Sequence, residues 1–382
     1  MHDRSIRDVM PAAPRVRVEV AAGPAFELLI GLYAATTPDA EHAASWVRPR
    51  ERWSPGLAAA VDEVGTHSGE AWLHLLGLAV ELPAEDAASF VSKVSRVSAS
   101  ELRRHLVGSY VPAWVAMVGA DTLDRAARGE GAAVDELLAH PRYYAGRARE
   151  ALGIPLSVSS AETKRRLVSA LELFASEVFA PSEEEVAAAL RAGIEAEREL
   201  MWNLSPPELI EKVAGGYVYE PEPELDRVLL VPHLAARPAL LLCQHRESRI
   251  ICHPLHEDEK DPEAALTDRA VTLGHALADD RRVLILRHLA VGDATLDELA
   301  ERTGVARSTA HHHLARLRAA GLVTLRGNAR GYWYVLREDG LADARRALSD
   351  LARAPSSELE PPTRSAGPRS RGRPRKRPRK TG

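Results

Sequence analysis

Apolar residues recur every three or four positions over most of the first half of the chain, the spacing that lines them up on one side of an α-helix. That period predicts amphipathic helices over Ala25–Thr36, Pro55–Gly65, Gly69–Leu82, Ala99–Gly108, Ala161–Phe179 and Ser182–Asn203. Ser182 followed by Glu185 has the spacing of a capping box at the start of the last one. Ahead of them, residues 16–24 (VRVEVAAGP) alternate polar and apolar and predict one short strand. Ser205-Pro206-Pro207 breaks the helical pattern, and the character changes after Gly215-Gly216. Arg227–Leu234, Pro238–His245 and Arg249–Pro254 are short runs rich in Val, Ile and Leu, and predict a small strand meander.

A second helical pattern begins beyond His256–Glu263, an acidic stretch with a proline that predicts a linker at residues 257–264. Leu273, Leu277, Val283, Leu286 and Leu289 mark two short amphipathic helices, and Thr295 is placed to cap a third that faces Leu296, Leu299 and Ala300 inward. Thr303-Gly304-Val305 reads as a tight turn, because glycine accepts backbone angles that a bulkier residue resists. The next helix, from about Arg307 to Ala320, carries Ala310, Leu314 and Leu317 in one buried stripe, and Gly321 sits where a C-terminal cap belongs. Its other face holds Arg307, Ser308, Thr309, His311, His312 and Arg316, without an acidic residue. Such donors suit base edges and phosphates of a DNA major groove. Leu322–Arg326, a turn over residues 327–331 and Tyr332–Leu336 then form a hairpin with Arg326 and Arg330 at its tip, suited to phosphates or the minor groove.

These residues resemble the ArsR-type winged-helix repressors. The resemblance rests on Ala276-Leu277-Ala278-Asp279 with Arg282, on Asp297–Ala300, on His312-His313-Leu314 and on Ala319–Val323, and it covers roughly 70 residues, about 273–338. It implies a homodimeric repressor that releases its operator on sensing a signal, with Ser308, Thr309, His311 and His312 as contacts of the recognition helix and His313 in a structural role. There are two departures. Ala306 stands where a capping Ser is usual, and the helix before the turn lacks the Cys-x-Cys pair of metal-sensing members. No cofactor is implied. Leu341, Leu348 and Leu351 after the wing, together with the helix around Leu273, are candidates for the dimer interface.

Composition changes this picture at one place. The net charge is −4, yet from Arg364 to Gly382 there are nine basic residues and no acidic ones, which leaves forty-one basic against fifty-four acidic residues in the rest. An acidic body with a basic tail points to an interaction arm. Arg371-Gly372-Arg373-Pro374 within it resembles the core of an AT-hook, in which Arg371 and Arg373 would enter a narrow A·T minor groove; a nonspecific polybasic arm is the competing reading. The first fifteen residues do not look like a secretory signal, and the most apolar run, Ala71–Leu82, falls short of the roughly 18 residues a membrane span needs. The expectation is a cytoplasmic, nucleoid-associated bacterial protein.

Two cysteines, Cys243 and Cys252, allow no disulfide framework. With a hairpin turn at Glu247-Ser248 they would lie directly opposite each other on one face with His245, while His253 points away; packing is the favoured reading, a thiol switch or zinc site the alternative. The triplet His311-His312-His313 cannot share one metal ion, because adjacent helical residues diverge by about 100°, so no metal site is assigned. No phosphate-binding glycine loop, G-x-S-x-G or HExxH occurs, so no enzyme is expected. The fold class expected is mainly α: a flexible start (1–15), a helical sensor or dimerisation domain ending in a β meander (16–256), the linker (257–264), a winged helix-turn-helix domain (265–353) and a disordered basic tail (354–382). The function expected is a transcriptional regulator, most plainly a repressor, that binds double-stranded DNA as a homodimer, with an unknown small-molecule effector and no membrane partner. An architectural DNA-binding protein is the alternative, as is a redox or zinc sensor acting through Cys243 and Cys252.

Overall fold

In the computed structural model, residues 16–37, 44–65, 68–255, 262–328 and 331–351 are described. The fold is mainly helical with small sheets, in line with the apolar periodicity. Most predicted helices form, and local chemistry sets their ends. Ser54, Ser98 and Ser159 each accept the backbone N–H three residues on, which caps the helices Pro55–Val64, Ala99–Leu106 and Ser160–Phe174. Two predictions change. The run 69–82 breaks at Leu75 into Gly69–His74 and Leu76–Glu81. Ser182 makes no capping bond, because the helix from Ser160 runs through a π turn (Ala175–Phe179) and a 3-10 turn directly into Glu183–Met201.

Four strands form one sheet: β1 (Arg17–Val20), β3 (Arg227–His233), β5 (Ser248–Pro254) and β4 (Leu241–His245), in the order β1-β3-β5-β4. The expected meander is corrected here. Only β4 and β5 are an antiparallel hairpin; β3 lies parallel to β5, and β1 parallel to β3. Nearly every residue of β3 and β5 is buried, the mark of central strands covered on both sides. The same near-continuous apolar runs that identified them as strands carried no information about their neighbours.

Alternation along these strands divides two cores. Leu229, Val231, Leu241, Ile250 and Cys252 face the helical domain and join Phe26, Trp72, Phe90, Phe174 and Phe179. Val228, Leu230, Leu240 and Ile251 face the other way and join Leu273, Ile285, Leu314, Leu317 and Leu325 of the C-terminal region. The sheet is thus a wall shared by two cores, and each Val, Leu or Ile fully buried on either side contributes about 2 kcal/mol. The helix Pro206–Val213 and strand β2 (Tyr217–Tyr219) also belong to the second core. β2 pairs in parallel with β6 (Val323–Asn328), which pairs antiparallel with β7 (Gly331–Leu336), so the wing is the outer part of a three-stranded sheet β2-β6-β7. The first helix, Pro24–Thr36, is tied to the wall by Glu27, whose carboxylate accepts the Leu234 N–H at 3.1 and 3.2 Å. Burial raises that carboxyl to about 7 against the opposing pull of its hydrogen bonds.

Candidate nucleic-acid interface

The helix-turn-helix is built by local signals. Thr295 Oγ1 accepts the Glu298 N–H and Glu298 accepts the Thr295 N–H at 2.8 Å, a capping box that starts the helix Leu296–Thr303. Gly304 ends that helix at φ +67°, a left-handed conformation that favours glycine. The recognition helix, Arg307–Ala319, follows Ala306, which makes no side-chain cap. Ala310, Leu314 and Leu317 are fully buried. His313 is buried beside them, its Nδ1 3.3 Å from Arg282 Nη1, and Arg282 also donates to the Ala276 and His275 carbonyls that end the helix Pro262–Leu277.

Successive residues point about 100° apart, so the polar positions of this helix fall into three strips. Ser308 and His312 lie opposite the buried stripe, with Ser308 exposed and His312 half-buried. Thr309 and Arg316, both half-buried, form one flank. Arg307 and His311 form the other, and that flank faces the helical domain. Arg307 pairs with Asp297 and is close enough to Glu70 to lower its carboxyl against the larger upward push of burial. His311 borders a small crevice with Leu240, Ala315, Arg318, Leu325 and Tyr334. Its ring reaches solvent, yet dense protein on the crevice side, then Arg318 and Arg307, push it down to about 4. It is therefore neutral at pH 7 and adds no positive charge to the face.

Arg318, on the same flank, was not singled out in the sequence. Its buried guanidinium donates to the carbonyls of Ala214 at 2.7 Å, Pro238 at 3.4 Å and Gly215 at 3.5 Å, and burial lowers it to about 10. Its place beside Leu314 on the helical wheel is the signal that marks it as inward-facing.

On the wing, Arg326 is exposed and stands opposite Trp333. Arg330, Arg371 and Arg373 lie outside the described residues. Tyr332 of β7 covers Gly327, where an added Cβ would come within 2.5 Å of its ring, and it lies close enough to Arg249 of β5 for the two to interact electrostatically. Arg249 and Glu222 form a buried bidentate pair, with Nε to Oε1 at 2.9 Å and Nη2 to Oε2 at 2.6 Å. Residues of the first 256 thus contact the helix at Arg318 and lie beside the wing at Tyr332.

The cysteine geometry is also corrected. The β4–β5 turn is Arg246-Glu247, so His245 pairs with Ser248, Cys243 with Ile250 and Leu241 with Cys252. Arg246 adopts φ +50°, its N–H donates to the Tyr110 carbonyl at 2.7 Å, and its guanidinium sits 4.4 Å over the Tyr110 ring. These tertiary contacts place the turn one residue earlier than expected. The cysteines are diagonal neighbours, typically about 7–8 Å apart, and both are free. Burial pushes Cys243 up to about 12 and Cys252 well above its ordinary value, so neither is a thiolate. Among the described residues no cluster of His, Cys, Asp and Glu suits a metal ion, and no helix is long and apolar enough to cross a membrane.

Beyond the wing, the helix Glu338–Leu351 packs on the helix Pro262–Leu277. Leu341 and Leu348 are exposed, as is Val271 on the neighbouring helix, whereas Leu273 is buried in the second core and cannot join an interface.

Comparison with known proteins matches residues 279–324 to the family model described as "Bacterial regulatory protein, arsR family". The HTH-type transcriptional regulator Rv0324 of Mycobacterium tuberculosis is 30% identical over 116 residues, 26% of this chain and 51% of that protein. The nodulation protein NolR of Rhizobium meliloti is 34% identical over 76 residues, 20% of this chain and 62% of that protein. This chain thus spans about half to two-thirds of the length of these two relatives. The transcriptional activator HlyU of Vibrio cholerae is 35% identical over 83 residues, 22% of this chain and 74% of that protein. A solution structure of the homodimeric winged helix-turn-helix DNA-binding domain of Mb0332 from Mycobacterium bovis shows 31% identity over 26% of this chain and 91% of that one, with a TM-score of 0.21. By the family model and by the match to HlyU, of which it covers 74%, the chain belongs to the arsR family of bacterial regulatory proteins.

Proposed function

We propose that this chain is a sequence-specific DNA-binding transcriptional regulator that reads its operator with the open strip of the recognition helix. The observation that carries the reading is the division of that helix. Exposed Ser308 and half-buried His312 lie on the side away from the core, flanked by Thr309 and Arg316, while the opposite side is fully engaged in packing. A strip of donors at the start of a helix suits base edges, and exposed Arg326 on the adjacent wing suits a phosphate or the minor groove. In this reading Arg307 and His311, on the flank toward the helical domain, have a secondary part in DNA contact, and Arg330, Arg371 and Arg373 extend the footprint from the wing tip and the tail.

The protein acts as a homodimer on an inverted repeat. Leu341, Leu348 and Val271 form the apolar patch that supports this. Repression follows where the dimer covers a promoter. The residues up to 256 act as the sensor, which the shared sheet joins to the DNA-reading unit.

Selection of duplexes from a randomised pool by the full chain, followed by run-off transcription from a promoter carrying the selected site, tests this. The expected result is one enriched inverted repeat with half-sites about 10 base pairs apart and lower transcription on binding. A selected pool indistinguishable from the input refutes sequence-specific reading, and higher transcription refutes repression alone.

A further inference from the structure

We infer that the helical domain binds a small zwitterion of free amino-acid size beside Tyr110, and that the wing reads its occupancy. The inference rests on the regulator reading above and names the site of its signal.

The site is a half-open cavity of about 240 Å³ between the helices Ala99–Leu106 and Ala120–Arg128, lined by Arg104, Ser109, Tyr110, Ala120, Leu123 and Asp124. Its lining offers one cation, Arg104, and one anion, Asp124, while behind them Glu101 lies 4.0 Å from Arg104 and accepts the Tyr110 hydroxyl. Arg104 Nε lies 3.4 Å from an Asp124 carboxylate oxygen, and both side chains are about 40% exposed. An ion pair this exposed is worth little, so a ligand carboxylate on Arg104 and a ligand ammonium on Asp124 replace it at small cost. A ligand carboxylate alone would take Arg104 and leave Asp124 without its cation, which a ligand ammonium restores. Ser109 Oγ is shielded from solvent and makes no hydrogen bond among the described residues, which leaves a third polar group for the ligand. Exposed Ala120 supplies apolar surface for a side chain, backed by buried Leu123. The volume limits that side chain to an ordinary amino-acid size.

The cavity stands at one end of a continuous polar chain. Tyr110 accepts the Arg246 N–H through its carbonyl and carries the Arg246 guanidinium on its ring. Three residues on, the Ala113 N–H donates to Gln244 Oε1 at 3.2 Å, and Gln244 Nε2 donates to Glu222 at 3.0 Å. Glu222 holds Arg249, and the Arg249 guanidinium lies beside Tyr332 on the wing, which in turn packs on Gly327. Glu222 and Arg249 are almost fully buried, where hydrogen-bonded groups reinforce one another and resist separate movement. A ligand that shifts the segment Ser109–Ala113 therefore moves the β4–β5 hairpin and, through Arg249 and Tyr332, strand β7, which pairs with the strand that presents Arg326 to DNA.

The test uses the full chain, the twenty common L-amino acids as probes, calorimetry for binding, and anisotropy of the selected duplex for DNA affinity. At least one amino acid should bind and change DNA affinity about fivefold or more, with DNA changing amino-acid affinity by the same factor. Arg104→Gln with Asp124→Asn should abolish amino-acid binding. Ala120→Trp, which fills the cavity from an exposed position, should do the same, and its unchanged melting temperature shows that the fold is kept. Tyr332→Phe should retain amino-acid binding while shrinking its effect on DNA. No binding by any amino acid overturns the ligand class and leaves the regulator reading standing if the duplex still binds. Binding that survives Ala120→Trp overturns the cavity, and binding without any change in DNA affinity overturns the coupling. Amino-acid binding by a chain that selects no duplex overturns the regulator reading and the coupling built on it, while the cavity survives.

Discussion

Replacing Arg318 by Ala separates a packing arginine from a DNA-contacting one on the same helix. The guanidinium donates to the Ala214, Gly215 and Pro238 carbonyls in a site closed to solvent. Losing the aliphatic stem costs about 2 kcal/mol, at roughly 0.8 kcal/mol per buried methylene. Leaving buried carbonyls without a donor costs about 1–3 kcal/mol more. Against this, burial holds Arg318 down from 12.5 to about 10, so removing the charge relieves about 3 kcal/mol of desolvation. The net is a destabilisation of about 0–2 kcal/mol, much less than the contacts alone suggest. Urea denaturation measures that part. Anisotropy titrations of a selected duplex across a salt series measure the other: the log–log slope should be unchanged for Arg318→Ala and should fall by about 0.9 for Arg326→Ala, which leaves one phosphate without its cation. A slope reduced by about 0.9 in Arg318→Ala, with stability unaltered, would refute the assignment of this residue to packing.

Three further outcomes are expected. Leu341→Glu with Leu348→Glu should convert a dimer to a monomer by light scattering, since each Leu loses about 2 kcal/mol of burial in an interface; an intact dimer moves the interface elsewhere. Buried His105 and His233 and half-buried, tightly packed His74 are held down to about 4, 3 and 3 from an ordinary 6.5, so their stabilising contribution is complete above pH 6.5 and is lost as pH falls below it, at up to about 1.4 kcal/mol per pH unit each. Glu27, raised to about 7, acts with the opposite sign between pH 4.5 and 7, so urea midpoints should drop from pH 7 to 5 and drop more steeply in Glu27→Gln; a flat profile contradicts both burial assignments. Deleting Arg364–Gly382 should flatten the salt dependence of DNA binding by about 0.9 for each phosphate that the tail neutralises, while leaving operator preference intact, and an unchanged slope would remove the tail from the interface.

The winged helix was legible in the sequence because its signals are local. Thr295 with Glu298, Gly304 and Gly321 punctuate helices whose apolar stripes are complete within a few turns, and each takes the conformation its residue type favours. The β wall was legible as strands and illegible as a sheet. Its apolar runs look alike whether neighbours are parallel or antiparallel, and the β4–β5 turn is set by Tyr110 and Glu81, more than 130 residues away. The recognition face was legible in outline. His311 and Arg318 show where it stopped: periodicity places both beside the buried stripe, but only the fold brings Leu240, Ala214 and Pro238 against that flank. Tyr332 gave no signal at all, since Arg249, which it lies beside, is on a strand of the other sheet.

The most direct test of the central claim is the affinity of Ser308→Glu with His312→Glu for the selected inverted repeat, measured by anisotropy beside the wild-type chain. Both positions face away from the packed stripe, and a carboxylate near the start of a helix is favourable for the helix itself, so the melting temperature should hold. Two carboxylates facing base edges and phosphates should weaken binding by about 100-fold or more. Equal affinity for the variant and the wild type, with both folded, would contradict the assignment of this helix to DNA reading.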